Sequence, residues 1–95
     1  MLNELYQIIL DRKAHPQEGS YTNQLLQKGT DAILQKVGEE SVEVILAAKG
    51  QGRHRLVEEV ADLFYHTLVL LADQGVSLEE IEAELSRRHA MPKVK

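Results

Sequence analysis

The residues with the clearest chemical potential are carboxylates in two short motifs, Glu39-Glu40-x-x-Glu43 and Glu59-x-x-Asp62. They flank one glycine-bearing turn, Lys49-Gly50-Gln51-Gly52-Arg53, at mirrored distances. Glu43 lies eight residues before Gln51 and Glu59 eight after it, while Glu40 and Asp62 are each eleven away. Folded as an antiparallel helical hairpin, this segment sets Glu43 opposite Glu59 and Glu40 opposite Asp62. Within each helix the i,i+3 spacing keeps a pair on one face, about 4.5 Å apart along the axis. Four carboxylates so placed repel one another until a cation joins them.

Most glutamates on helices simply face water. Glu79, Glu80, Glu82 and Glu84 fit that description, flanking an amphipathic stripe or capping a helix. The central group fits it less well. Glu43 is embedded among Val42, Val44, Ile45, Leu46, Ala47 and Ala48, and Asp62 lies between Val60-Ala61 and Leu63-Phe64. A carboxylate in such surroundings is costly to desolvate unless something pairs with it. Lys36 and Arg55 are near enough in sequence to supply part of that pairing. The alternative is a divalent ion. Oxygen ligands in a chain without cysteine suit a hard cation, Mg²⁺ with Mn²⁺ as a substitute, rather than structural zinc. A di-iron bundle would carry Glu-x-x-His pairs, and the chain has none. Mg²⁺ on carboxylates, its shell completed by water and phosphate oxygens, serves phosphoanhydride hydrolysis by neutralising charge and orienting a water.

Glu39 falls within about 40° of Glu43 on the helical wheel and can join the cluster. A carboxylate only partly engaged by metal can take the proton of the attacking water. Spacing leaves that role open among Glu39, Glu40 and Glu43. Lys36 and His66 extend the mirror relation, each fifteen residues from Gln51. One can bind phosphate while the other orients a carboxylate or the substrate. His66 can equally be a core histidine bonded to a neighbour.

The elements that must position these residues read as helices throughout. Leu2, Leu5, Ile8 and Ile9 recur at helical spacing and predict a first helix over Leu2 to Lys13. Ala14 to Thr22 reads as a loop broken by Pro16 and Gly19, followed by a short helical turn from Asn23 to Gln27. Long helices follow from Thr30 to Lys49 and from Arg53 to Gln74, the latter ended by Gly75. Ser77-Leu78-Glu79-Glu80 is a capping box, opening a last helix lined by Leu78, Ile81 and Leu85. Met91 to Lys95 reads as a tail. No segment alternates with period two, so the expected fold is all-α: one domain over residues 1–95, an antiparallel bundle of four main helices. The third long pattern is apolar on most sides between Val60 and Ala72, which calls for a central position or a second subunit. A homodimer is expected.

Ninety-five residues bury only about 60–65% of their unfolded surface, so help from a partner is unsurprising. A net charge of −4 disfavours nucleic-acid backbone as a partner but permits a small phosphorylated ligand beside a metal. The N-terminus lacks the pattern of a signal peptide, and the apolar stretch from Leu63 to Ala72 is too short to span a bilayer. The expectation is a cytoplasmic protein with no membrane association.

The combined motifs resemble the phosphoribosyl-ATP pyrophosphohydrolase family of histidine biosynthesis, within the MazG-like all-α nucleotide pyrophosphohydrolases. The wider superfamily carries Glu-Glu-x-x-Glu and Glu-x-x-Asp, here Glu39-Glu40-Ser41-Val42-Glu43 and Glu59-Val60-Ala61-Asp62. The narrower family adds Glu18-Gly19-Ser20-Tyr21-Thr22, Leu25, Gly29, Lys36-Val37-Gly38-Glu39-Glu40 and Ala61-Asp62-Leu63-x-Tyr65-His66. The match runs from about Leu5 to His89. It implies a dimeric, Mg²⁺-dependent enzyme that cleaves phosphoribosyl-ATP to phosphoribosyl-AMP and pyrophosphate. It places Glu40, Glu43, Glu59 and Asp62 at the metal, with Glu39 there or at water activation. It puts Glu18, Gly19, Ser20, Tyr21 and Thr22 in the substrate pocket, and Lys36 on phosphate. One departure is Gln17, which separates Pro16 from Glu18 where relatives often have them adjacent; it bears on the shape of the loop. From the residues alone, that loop can also be ordinary, with Thr22 as the N-cap of the following turn. The family in some organisms is fused to a cyclohydrolase, for which 95 residues leave no room. Two other functions fit the residues: a house-cleaning nucleoside triphosphate pyrophosphohydrolase, and a non-catalytic helical dimerisation module.

Overall fold

Apolar residues at helical spacing, punctuated by Pro16 and by glycines at 19, 29, 52 and 75, produce five helices in the computed structural model, which describes residues 1–90. These are α1 (Leu2–Ala14), α2 (Tyr21–Lys28), α3 (Thr30–Gly50), α4 (Arg53–Gln74) and α5 (Leu78–Ala90). No strand occurs among the described residues, as the absence of period-two patterning predicts. The expected tail, residues 91–95, lies outside them.

Four long helices stand close to where they were expected, and the short turn is longer than expected. It is a full two-turn helix beginning at Tyr21, so Tyr21 and Thr22 belong to a helix and not to the loop. The reason is the cap. The Ser20 hydroxyl, not that of Thr22, accepts from the backbone amide of Asn23 at 3.2 Å and starts the helix two residues early. The capping box forms as read: Ser77 donates its amide to Glu80 Oε2 at 2.9 Å, and Glu80 returns its amide to Ser77 Oγ at 3.2 Å.

The α3–α4 packing is the most extensive in the chain, an antiparallel hairpin closed by Gln51 and Gly52. Gly52 stands at φ +92°, a left-handed conformation that costs glycine little and lets the chain reverse. Helix α4 is central, packing on α1, α2 and α3. Its C-terminal half supplies Leu68, Val69 and Ala72 to a core completed by Tyr6 and Ile9 of α1, Leu25 of α2 and Ile33 of α3. The N-terminal half of α4 and the facing half of α3 stand beyond this core, where the carboxylates lie. Lys13 of α1 donates to the Ala72 carbonyl at 2.7 Å, tying the end of α4 to α1. Helix α5 is held more loosely. Leu78 packs on the core, whereas Ile81 and Leu85 remain exposed.

Candidate active site

The hairpin brings acidic oxygens of Glu40 on α3 with Glu59 and Asp62 on α4 to within 4.8 Å of one another. Adjacent ligands of a single octahedral Mg²⁺ at about 2.1 Å would stand about 3.0 Å apart and opposite ones about 4.2 Å, so the three side chains would draw together to share one ion. The i,i+3 spacing of Glu59 and Asp62 puts both on the face of α4 that meets α3. Burial is graded across the trio: Glu59 is 7% exposed, Glu40 12%, and Asp62 open to solvent. Burial pushes the Glu59 carboxyl above its ordinary range. Arg55 opposes that shift, and the charges of Asp62, Glu40 and Glu43 add to it. An acid held up by burial and by three like charges is one that a cation would relieve.

Glu43 and Glu39 stand next to this trio without joining it. Glu43 is near enough for its charge to act on Glu59 and on Arg55. Glu39 is half exposed and is engaged by Gln35 Nε2 at 3.0 Å and Lys36 Nζ at 3.7 Å. The two cations read as neighbours in the sequence are present. Lys36 also lies 3.7 Å from Glu40, and Arg55 lies 3.4 Å from Glu59 while bonding Glu58 at 2.8 Å. Burial lowers the Lys36 ammonium, but Tyr21, Glu40 and Glu39 together outweigh it and hold the group above its usual range. Lys36 therefore stays charged at the edge of the site.

His66 joins this face to α2. Its Nδ1–H donates to the Asp62 carbonyl at 2.8 Å, and its Nε2 lies 3.1 Å from the Tyr21 hydroxyl, which can donate to it. The Tyr21 ring stacks on Tyr65 at 6.2 Å, and both rings meet the His66 imidazole edge-on. The Tyr65 hydroxyl is hydrogen-bonded to Thr22 Oγ1. Tyr21, Thr22 and His66 thus form one connected group with Tyr65, whose part was not assigned from sequence although it stands beside His66 in the motif. Tyr65→Phe is expected to cost about 0.5–1.5 kcal/mol of stability, the usual net worth of one hydrogen bond. Urea denaturation of both proteins would measure the difference.

Glu18 and Gly19 are exposed at the tip of a turn, Ser20 closing it by donating its amide to the Gln17 carbonyl at 3.2 Å. Gly19, at φ +83°, takes the third place of that turn, where a left-handed residue is required. Asn23, unremarked in the sequence, is buried beneath it. The expected site residues therefore form two neighbouring groups: the acidic trio with its flanking Glu39, Glu43 and Lys36, and the turn with the Tyr21–His66 contact. His66 links them by hydrogen bonds, through Asp62 and Tyr21.

Comparison with known proteins identifies the family. The family model described as phosphoribosyl-ATP pyrophosphohydrolase matches residues 2–89. A phosphoribosyl-ATP pyrophosphatase of Listeria welshimeri is 60% identical over 93% of this chain and 84% of its own length. One from Lactiplantibacillus plantarum is 56% identical over 92% of this chain and 82% of its own. A histidine biosynthesis bifunctional protein of Thermoanaerobacter pseudethanolicus is 52% identical over 88% of this chain but only 39% of its own length, so there the same unit is part of a longer protein. A purely structural helical module is thereby set aside. With a family match over nearly its whole length and relatives above half identity, the chain is an enzyme and belongs to the phosphoribosyl-ATP pyrophosphohydrolase family.

Proposed function

We propose that this protein hydrolyses the bond between the α and β phosphates of phosphoribosyl-ATP, giving phosphoribosyl-AMP and pyrophosphate, in the second step of histidine biosynthesis. The observation that carries this reading is the convergence of Glu40, Glu59 and Asp62 beside Lys36, in a chain of this family. The single domain over residues 1–95 is read as MazG-like.

Glu40, Glu59 and Asp62 would hold Mg²⁺, with Glu43 completing the set; Mn²⁺ has the same preference for oxygen and would substitute. When bound, the ion neutralises phosphate charge and activates a water for attack. Lys36, kept charged by its neighbours, contacts a phosphate of the substrate. Glu40 is committed to the trio, so the proton of the attacking water goes to Glu39, which lies outside it and half exposed. Glu18, Gly19, Ser20, Tyr21 and Thr22 line the pocket for the rest of the nucleotide. His66 holds Tyr21 in place and ties it to the backbone of Asp62. Identification of the products by mass spectrometry tests the bond assignment. Phosphoribosyl-AMP with pyrophosphate is expected; phosphoribosyl-ADP with phosphate would overturn it.

The active form is read as a cytoplasmic homodimer. No helix among the described residues is long and apolar enough to cross a membrane. An open apolar groove of about 600 Å³ runs along one face, lined by Leu2, Val37, Phe64, Leu71, Ile81 and Leu85. Val42, Ile45 and Leu46 of α3 and Val57 of α4 are exposed as well. Apolar surface on this scale is a liability on a small monomer and is relieved by a second copy. Light scattering should give twice the 10.7 kDa of one chain. Phe64→Glu, at a half-exposed position, should shift the mass toward a monomer without loss of helix.

A further inference from the structure

The first turn of α2 holds a residue that the chemistry above does not use. Asn23 is 5% exposed, and an amide so deeply buried needs partners at both ends. Its Nδ2 donates to the Arg12 carbonyl at 2.7 Å, and its Oδ1 accepts from the Gln17 amide at 2.7 Å. The Arg12 carbonyl is a group the backbone leaves unserved. The preceding carbonyl, Asp11, takes the amide of His15 at 2.7 Å, but the next amide in the series would belong to Pro16, which has none. The Asn23 side chain takes the place of that missing donor.

Its other end grips the turn. Gln17 begins the turn that carries Glu18 and Gly19, and Ser20 ends it with its amide on the Gln17 carbonyl. Asn23 holds the first of these residues through Oδ1 and the last through its own amide, which donates to Ser20 Oγ at 3.2 Å. One residue thus anchors the end of α1 and both ends of the turn. Against the turn lies a cavity of about 320 Å³ lined by Gln17, Glu18, Gly19, Ser20, Gln24 and Asn23 itself. The side-chain bonds of Asn23 run to α1 and the turn, away from the carboxylates on α3 and α4.

We propose that Asn23 is a positioning residue for substrate binding, pinning the Gln17–Ser20 turn so that Glu18 and Gly19 present a preformed wall to the nucleotide. It sets affinity and not turnover rate. This rests on the reading of Glu18 to Thr22 as substrate pocket. A turn that is already ordered does not have to be ordered by the ligand, and that saving is expressed in binding. The reacting bond lies at the carboxylate trio, which the loss of Asn23 leaves in place.

The test is steady-state kinetics of Asn23→Ala on phosphoribosyl-ATP with Mg²⁺, together with hydrogen exchange at the amides of residues 17–20. KM should rise by about tenfold with kcat within about twofold, the pattern of lost ground-state binding. The Gln17 amide should exchange faster while the α3 and α4 amides do not. Ile33→Val, a core change outside the turn and its hydrogen bonds, should lower stability yet leave KM unchanged. Should Asn23→Ala fail to fold, Asn23→Asp keeps the shape and the Oδ1 acceptor but replaces the Nδ2 donor with an oxygen that repels the Arg12 carbonyl, and it should raise KM likewise. A KM within twofold of wild type despite a loosened turn would overturn the proposal, as would a fall in kcat with KM unchanged. Wild-type protein inactive on phosphoribosyl-ATP would instead overturn the substrate reading, and no variant enters that result.

Discussion

Asp62→Asn is expected to lower pyrophosphate release by about 10²–10³-fold, because the ion that would stabilise the developing charge loses one of its ligands, while the protein stays helical and folded. The residue supplies one of three converging acidic oxygens and is exposed to solvent, so amide for carboxylate exchanges a charge without opening a cavity. Its backbone carbonyl still receives His66 Nδ1, so the link to Tyr21 survives the substitution. Glu43→Gln, which removes the carboxylate proposed to complete the metal set, should lower turnover in the same way. Circular dichroism checks the fold, and a coupled pyrophosphate assay checks the rate. A rate near wild type in Asp62→Asn would remove that carboxylate from the proposed site.

Glu59 leads to a second large effect, with opposite signs in the presence and absence of metal. Its pKa is raised above the ordinary 4.5 by burial and by Asp62, Glu40 and Glu43, with Arg55 only partly offsetting them. The folded state therefore holds the Glu59 proton more tightly than the unfolded state. The stabilisation this provides is complete below 4.5 and is lost as pH rises from 4.5 through the raised value. Without divalent ions, Glu59→Gln should be the more stable protein near neutral pH, and its melting temperature should depend less on pH above 4.5. Addition of Mg²⁺ reverses the order. At a hundred times its Kd a ligand specific for the folded state adds about 2.7 kcal/mol, roughly 10 °C or more for a domain of this size. The wild type should show that rise and lose it to chelator, and Glu59→Gln should show little of it. Thermal melts of both proteins across pH, with Mg²⁺ and with chelator, measure each part.

The hairpin and its carboxylates were legible from sequence because the rules that place them are local. The i,i+3 spacing fixes a helix face, and Gly52 fixes the turn, so the mirrored motifs had to meet. The Ser77–Glu80 box was legible for the same reason, each partner lying within one turn of the other. The start of α2 was not. Ser20 and Thr22 are both good caps, and the choice between them depends on Asn23, whose side chain is held by Arg12 eleven residues away. An asparagine in a short polar segment carries no sign that a proline elsewhere has left a carbonyl for it to satisfy. Tyr65 was similarly silent, since its partner Thr22 is 43 residues distant. Within the acidic group, spacing set all four carboxylates on facing sides. It could not set the side-chain directions that bring Glu40, Glu59 and Asp62 together and leave Glu43 beside them.

Pyrophosphate release from phosphoribosyl-ATP, measured beside ATP and a panel of other nucleoside triphosphates with Mg²⁺ and with chelator, tests the proposed activity most directly. Release that requires Mg²⁺ and is selective for phosphoribosyl-ATP is the predicted result. Equal or faster release from an ordinary triphosphate, or release undiminished by chelator, would contradict it.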